Sequence, residues 1–129
     1  MTGNKCLLDT SVIIDVFRNN NTVAARLDAM DEVYVPVEVI GELYYGAYRS
    51  ADPLKHISRI RFFLLSCKVL SPDSSTSDTY GEIKSALMGK GKPIPENDIW
   101  IAALARQHNL PVFTADKHFS EVDHISLVI

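Results

Sequence analysis

Apolar residues fall along this chain in two kinds of block. Some are short continuous apolar runs closed by a polar or turn residue. Others spread apolar positions at helical spacing over several turns. "KCLLD", Lys5 to Asp9, is of the first kind and predicts a strand. The segment Ser11 to about Arg18 predicts a helix, and about Thr22 to Met30 a second. "VYVP", Val33 to Pro36, reads as a strand, followed by a helix from Val37 to about Ser50. Pro53 opens the next helix, a favoured first-turn position, and Ile57, Ile60, Phe63 and Leu64 follow at helical spacing. "CKVL", Cys67 to Leu70, predicts a third strand. Helices are expected from about Ser75 to Met88, ended by "GKGKP", and from about Pro95 to His108. "PVFTAD" predicts a fourth strand ending at Asp116, and "ISLVI" a short closing strand.

Strands separated by helices are βαβ units. The expected fold class is therefore α/β: a central, mostly parallel sheet of about four to five strands with helices on both faces. Crossovers should be right-handed. Ligands in such sheets bind beyond the carboxyl ends of the strands, so acids placed there carry interest.

Composition narrows this picture. The chain has 129 residues, the size of one ordinary domain spanning residues 1–129. Apolar residues make up 47%, enough for a sizeable core. The net charge of −3 excludes a generally basic nucleic-acid binder, though 13 Lys and Arg leave room for a local basic groove. Cys6 and Cys67 each sit in an apolar run and read as core residues of a reducing compartment. No leader-like opening and no apolar run of about 18 residues is present. A cytoplasmic protein without a membrane segment is expected.

Four acids stand at, or shortly after, the carboxyl ends of strands. Asp9 closes the first strand, and Asp116 follows the strand through Val112 to Thr114. Asp98 lies in the first turn of the helix beginning near Pro95. The free N–H groups and dipole of a helix start favour its ionised form. Glu42 lies one to two turns into the helix after the second strand, among Ile40, Leu43 and Ala47. Taken singly, each has a plain alternative: Asp9 a turn or helix cap, Glu42 a solvated helix residue, Asp98 a helix-start acid, Asp116 a loop cap. Together they suggest more. Only Lys117 adjoins any of them in sequence. Four close carboxylates repel, which raises their pKa values or recruits a cation. An all-oxygen set suits Mg²⁺ or Mn²⁺ and not zinc. Such ions can activate water and offset charge on a phosphoryl centre, and hydrolysis of a phosphodiester is the chemistry implied. Spacing alone leaves the choice between capping and metal binding open.

Thr10, Ser11 and Thr114 flank two of the acids. They could cap helices or hydrogen-bond a carboxylate or a water. Asp15, Glu38 and Glu96 read as ordinary helix charges, with Glu96 near enough to Asp98 to support it. No serine carries a nucleophile-elbow pattern. The four histidines show no zinc spacing, and His118, two residues after Asp116, is the one to watch.

Four stretches carry a family resemblance. "LLDTSVIIDVF", "GELYYGA", "PENDIWIAALA" and "VFTADKHF" resemble PIN-domain proteins in order and spacing, in particular the VapC toxin branch. The likeness spans essentially the whole chain. It implies a PIN-like fold and an endoribonuclease dependent on Mg²⁺ or Mn²⁺. That enzyme would cleave single-stranded or looped RNA and so inhibit translation, as the toxin of a toxin–antitoxin pair. Asp9, Glu42, Asp98 and Asp116 match the family's catalytic and metal-binding acids, and Thr10, Ser11 and Thr114 its supporting hydroxyls. The resemblance further implies a homodimer and a small VapB-like antitoxin that blocks the acidic groove.

An acidic pocket must still attract a polyanion, and bound cations invert its sign. Lys90 and Lys92 on the glycine loop ahead of Asp98, with Arg18 and Lys117, are the candidate RNA contacts. Two other readings compete. One is a non-catalytic PIN-like module that binds RNA or protein. The other, a phospho-acceptor receiver, lacks the expected strand-end acceptor and later strand-end lysine.

Overall fold

The computed structural model describes residues 4–128. Five strands form one sheet in the order β3-β2-β1-β4-β5, every pair parallel. They are β1 (Lys5–Leu8), β2 (Glu32–Pro36), β3 (Lys68–Leu70), β4 (Val112–Phe113) and β5 (Leu127–Val128). Helices α1 (Thr10–Phe17) and α2 (Asn21–Asp28) link β1 to β2. Helices α3 (Val37–Tyr48) and α4 (Pro53–Leu64) link β2 to β3. Helices α5 (Ser74–Gly89) and α6 (Glu96–His108) link β3 to β4, and a 3-10 helix, Lys117–Glu121, precedes β5. The α/β expectation holds. Of the expected "ISLVI" strand, Leu127 and Val128 pair; Ile129 lies outside the described residues.

The chain steps outward from β1 to β2 to β3, then crosses back to β4. With right-handed crossovers, this reversal puts α1–α4 on one face and α5–α6 on the other. It also makes the seam between β1 and β4 the switch point, where a crevice opens at the carboxyl ends.

Central placement explains the apolar run of β1. Cys6, Leu7 and Leu8 are all fully buried, as a strand covered on both faces requires. Helix α6 is apolar nearly all round: Ile99 and every residue from Ile101 to Ala105 are buried. Fully buried Leu7, Leu8, Ile13, Ile101, Leu104 and Phe119 belong to one core cluster. Burying each such side chain contributes about 1.5–3 kcal/mol. Both cysteines are free, and burial pushes the Cys6 thiol up to about 11. Neither is poised to react.

Helix starts follow side-chain chemistry. Asn20 accepts from the Val23 N–H at 3.1 Å and Asp52 from the Lys55 N–H at 3.3 Å. Asp73 and Thr76 form a reciprocal capping box at α5. Helix α6 ends on Asn109 in the left-handed region, φ 54°.

One boundary departs from the sequence pattern. β4 ends at Phe113 and does not run on to Asp116. The Thr114 hydroxyl accepts from the Asp116 N–H at 2.8 Å and turns the chain. Asp116 then caps the 3-10 helix by accepting from the His118 N–H at 2.9 Å. The segment continues the apolar pattern of a strand, and this local side-chain competition ends it.

Candidate active site

The β1–β4 register builds the site. Leu8 pairs with Phe113, and the Asp9 N–H donates to the Phe113 carbonyl at 3.2 Å. Asp9 and Thr114 thereby leave adjacent strands side by side. Asp9 occupies the N-cap position of α1, yet its side chain makes no capping hydrogen bond. A helix-capping hydrogen bond therefore does not account for how the side chain is held. Its Oδ2 instead accepts from the Ser11 hydroxyl and from the Thr114 hydroxyl, each at 2.8 Å. Those hydroxyls are oriented in turn, because Ser11 Oγ accepts from the Ala115 N–H at 3.0 Å and Thr114 Oγ1 from the Asp116 N–H. Asp9 is 4% exposed and fixed through one oxygen, so its second oxygen is left for another partner.

The other acids line the same cleft. Asp9, Thr10, Ser11, Glu42, Asn97, Asp98 and Asp116 all contribute to its wall. Thr10 Oγ1 donates to Glu42 Oε1 at 3.1 Å. Asn97 lines the cleft beside it. Crowding by protein raises the pKa of Glu42, and the nearby Asp9 charge adds to this, against the hydrogen bond from Thr10. Asp98 is pushed up to about 6, first by burial, then by the charges of Asp9 and Asp116, while His118 opposes the rise. At about 6 the carboxyl is still mostly ionised at neutral pH, as the helix start leads one to expect, but it is held less firmly than an ordinary carboxylate. Loss of hydration outweighs the favourable N–H groups of the first turn. His118 Nδ1 lies 3.1 Å from Asp98 Oδ2 and 3.0 Å from Asp116 Oδ1.

No Lys or Arg forms an ion pair with any of these four acids among the described residues. Four carboxylates therefore share a cleft with one imidazole. That donor set fits a divalent cation and satisfies no other obvious need. Asp98, Asp116 and His118 offer ligand atoms all within 4.8 Å of one another.

The candidate RNA contacts fare unevenly. Lys90 pairs with Asp123 at 3.9 Å and lines a separate pocket with Arg106 and His124. Lys92 and Lys117 are exposed and do not line the acidic cleft. Arg18 lines a groove that continues from Thr10 and Glu42 between α1, α3 and α4. Trp100 stacks on Tyr80, ring centroids 4.2 Å apart. Asp15 stays outside the cleft, and Glu96 reaches its rim while bonding Tyr80 and Lys84. Asn97 escaped sequence reasoning, and its only signal is its place beside Asp98 in the first turn of α6.

Known proteins share this architecture. The PIN domain family model matches residues 6–125. "Ribonuclease VapC2" of Haemophilus influenzae is 35% identical over 108 residues, covering 82% of each chain. The "tRNA(fMet)-specific endonuclease VapC" of Shigella flexneri is 29% identical over 85% of each chain. The solved VapBC-1 from nontypeable Haemophilus influenzae superimposes with a TM-score of 0.88 at 27% identity, covering 96% of each chain.

Proposed function

Since the chain belongs to the PIN-domain family, in its VapC branch, we propose that it is a divalent-metal-dependent endoribonuclease and the toxin of a toxin–antitoxin pair. One observation carries the reading. Asp9 is held by two hydroxyls through a single oxygen, in a cleft it shares with Glu42, Asp98 and Asp116, none of which pairs with a Lys or Arg among the described residues. A structural carboxylate would be paired; this arrangement keeps its charge available.

In this reading Asp9, Asp98 and Asp116 hold Mg²⁺ or Mn²⁺. When bound, the ion lowers the pKa of a water and offsets charge on the phosphoryl group. The chain's own residues do the rest. Ser11 and Thr114 fix the angle of Asp9, and Thr114 ties that angle to the backbone position of Asp116. Thr10 aims Glu42 by donating to Oε1, and the raised pKa of Glu42 suits it to take a proton at Oε2. The water oxygen would bond to phosphorus as its proton passes to Glu42, and the ester P–O bond would break with its electron pair going to the leaving oxygen, which takes up a proton from solvent. Single-stranded or looped RNA fits a cleft open to solvent, and cleavage of such RNA would stop translation.

A VapB-like partner is part of the proposal. An apolar groove lined by Phe17, Leu27, Arg59, Phe62 and Phe63 runs between α1, α2 and α4. Phe62 on α4 and Leu65 just after its end are 78% and 82% exposed, which marks an interaction surface. The same reading expects a homodimer. No helix among the described residues is long and apolar enough to cross a membrane.

Purified protein incubated with structured RNA tests the reading. Cleavage should require added Mg²⁺ or Mn²⁺ and stop in EDTA. Asp9→Asn should reduce it by at least a hundredfold. Cleavage persisting under either condition overturns the mechanism. Binding of RNA or partner without turnover would favour the non-catalytic alternative.

A further inference from the structure

His118 reaches the acidic cleft from the 3-10 helix, an element that hydrophobic patterning does not announce. Its placement is dictated locally. Asp116 caps that helix by accepting the His118 N–H at 2.9 Å, and this turns the ring back over the carboxylates. Nδ1 then sits 3.0 Å from Asp116 Oδ1 and 3.1 Å from Asp98 Oδ2. An octahedral ion with ligands at about 2.1 Å holds neighbouring ligand atoms roughly 3 Å apart. Both separations from Nδ1 match the edges of such an octahedron. The His118 side chain is 47% exposed, so no packing requirement explains why its nitrogen faces the acids.

We propose that His118 is a direct ligand of the divalent ion held by Asp98 and Asp116, and that its nitrogen makes the site select Mn²⁺ over Mg²⁺. The proposal rests on the metal-dependent reading above. Mg²⁺ takes hard oxygen ligands and near-ideal octahedral geometry. Transition-series ions accept imidazole more readily, while carboxylate and water suit Mg²⁺. Exchanging one oxygen for Nδ1 therefore weakens Mg²⁺ more than Mn²⁺. Without an ion, the same geometry lets an Nδ1–H donate to either carboxylate, which is the purely structural role to be tested against.

Pulsed EPR on Mn²⁺ bound to the full chain reads the nitrogen directly. The native protein should show ¹⁴N modulation, and His118→Asp should lose it. Mg²⁺ competition should show the native affinity ratio favouring Mn²⁺, with His118→Asp lowering that ratio at least tenfold. His118→Asn should weaken Mn²⁺ binding by about tenfold or more, on the scale of ligand-shell losses. Absence of ¹⁴N modulation in the native protein, or an unchanged ratio in His118→Asp, overturns the proposal. Metal-dependent RNA cleavage without ¹⁴N modulation sinks the ligand and keeps the ribonuclease. Modulation without cleavage keeps the ligand and sinks the ribonuclease.

Discussion

Thr114 uses both functions of its hydroxyl inside the site. It donates to Asp9 and accepts from the Asp116 N–H, so a single oxygen links two of the four acids. Thr114→Val keeps the shape and removes both bonds. It should lower metal affinity 10- to 100-fold, as loss of groups that orient ligands does. It should also cost about 1–3 kcal/mol through the unpaired buried groups. Thr114→Ser should retain both properties. Isothermal titration with Mn²⁺ and urea unfolding separate the two effects, and native affinity in the valine variant would refute the link. Asp98 carries the opposite trade. Its carboxyl is moved from an ordinary 3.8 to about 6, chiefly by burial. A carboxyl raised in the folded state leaves the metal-free protein fully stable below the unfolded pKa and less so as pH rises through about 6. Asp98→Asn should therefore stabilise the metal-free protein at pH 7.5 by on the order of 1–2 kcal/mol while it abolishes metal binding. Equal or lower stability in urea unfolding with EDTA would show that burial is not what shifts this group.

At the scale of elements, Glu32 ties three strands together. From β2 it pairs with Lys5 on β1 at 2.8 Å and with Lys68 on β3. Hydrogen bonds to the two ammonium groups hold its carboxyl down at about 2. A depressed carboxyl contributes stability above its unfolded pKa, near 4.5, and loses it as pH falls towards 2. Glu32→Gln should flatten the loss of stability across that window, and 1 M salt should do part of the same by screening exposed charges. Urea midpoints at pH 3 and 7 give the comparison, and an unchanged acid limb would assign the loss to other groups. This pair of bonds is invisible in sequence, because Lys5, Glu32 and Lys68 meet only through the register. What sequence does carry is periodicity and punctuation. The apolar runs located every strand, and Pro53 and "GKGKP" marked helix ends well. The Asp9 to Asp116 set was legible because strand ends are readable and a parallel sheet gathers them at one edge. The end of β4 was not, since the apolar pattern outlasts the ladder and the Thr114 hydroxyl decides the stop. His118 was marked only by its nearness to Asp116, and Asn97 was hidden, for a related reason. Both depend on how a single turn closes, and hydrophobic spacing says nothing about that.

The whole molecule brings these scales together through one core. Side chains from β1, β4, α1, α3, α5, α6 and the 3-10 helix belong to a single buried cluster, so the described chain should unfold in one cooperative transition. The site sits at the edge of that core and concentrates negative charge where burial makes it costly. The metal-free protein is therefore held below its attainable stability, and cation binding should restore it. Metal at about a hundred times its dissociation constant stabilises by about 2.7 kcal/mol if it binds only the folded chain. For a chain of this length that is a rise in Tm of roughly 8–12 °C. Asp98→Asn should start above the native metal-free Tm and show no rise with Mn²⁺. Asp9→Asn should also fail to respond. Thr114→Val should start lower and respond only at higher Mn²⁺. Differential scanning calorimetry in EDTA and in Mn²⁺ measures all four proteins on one scale. A native Tm that does not move with Mn²⁺, or an Asp98→Asn Tm that moves as far as native, would mean that the four carboxylates gather at the sheet edge for some purpose other than holding a cation.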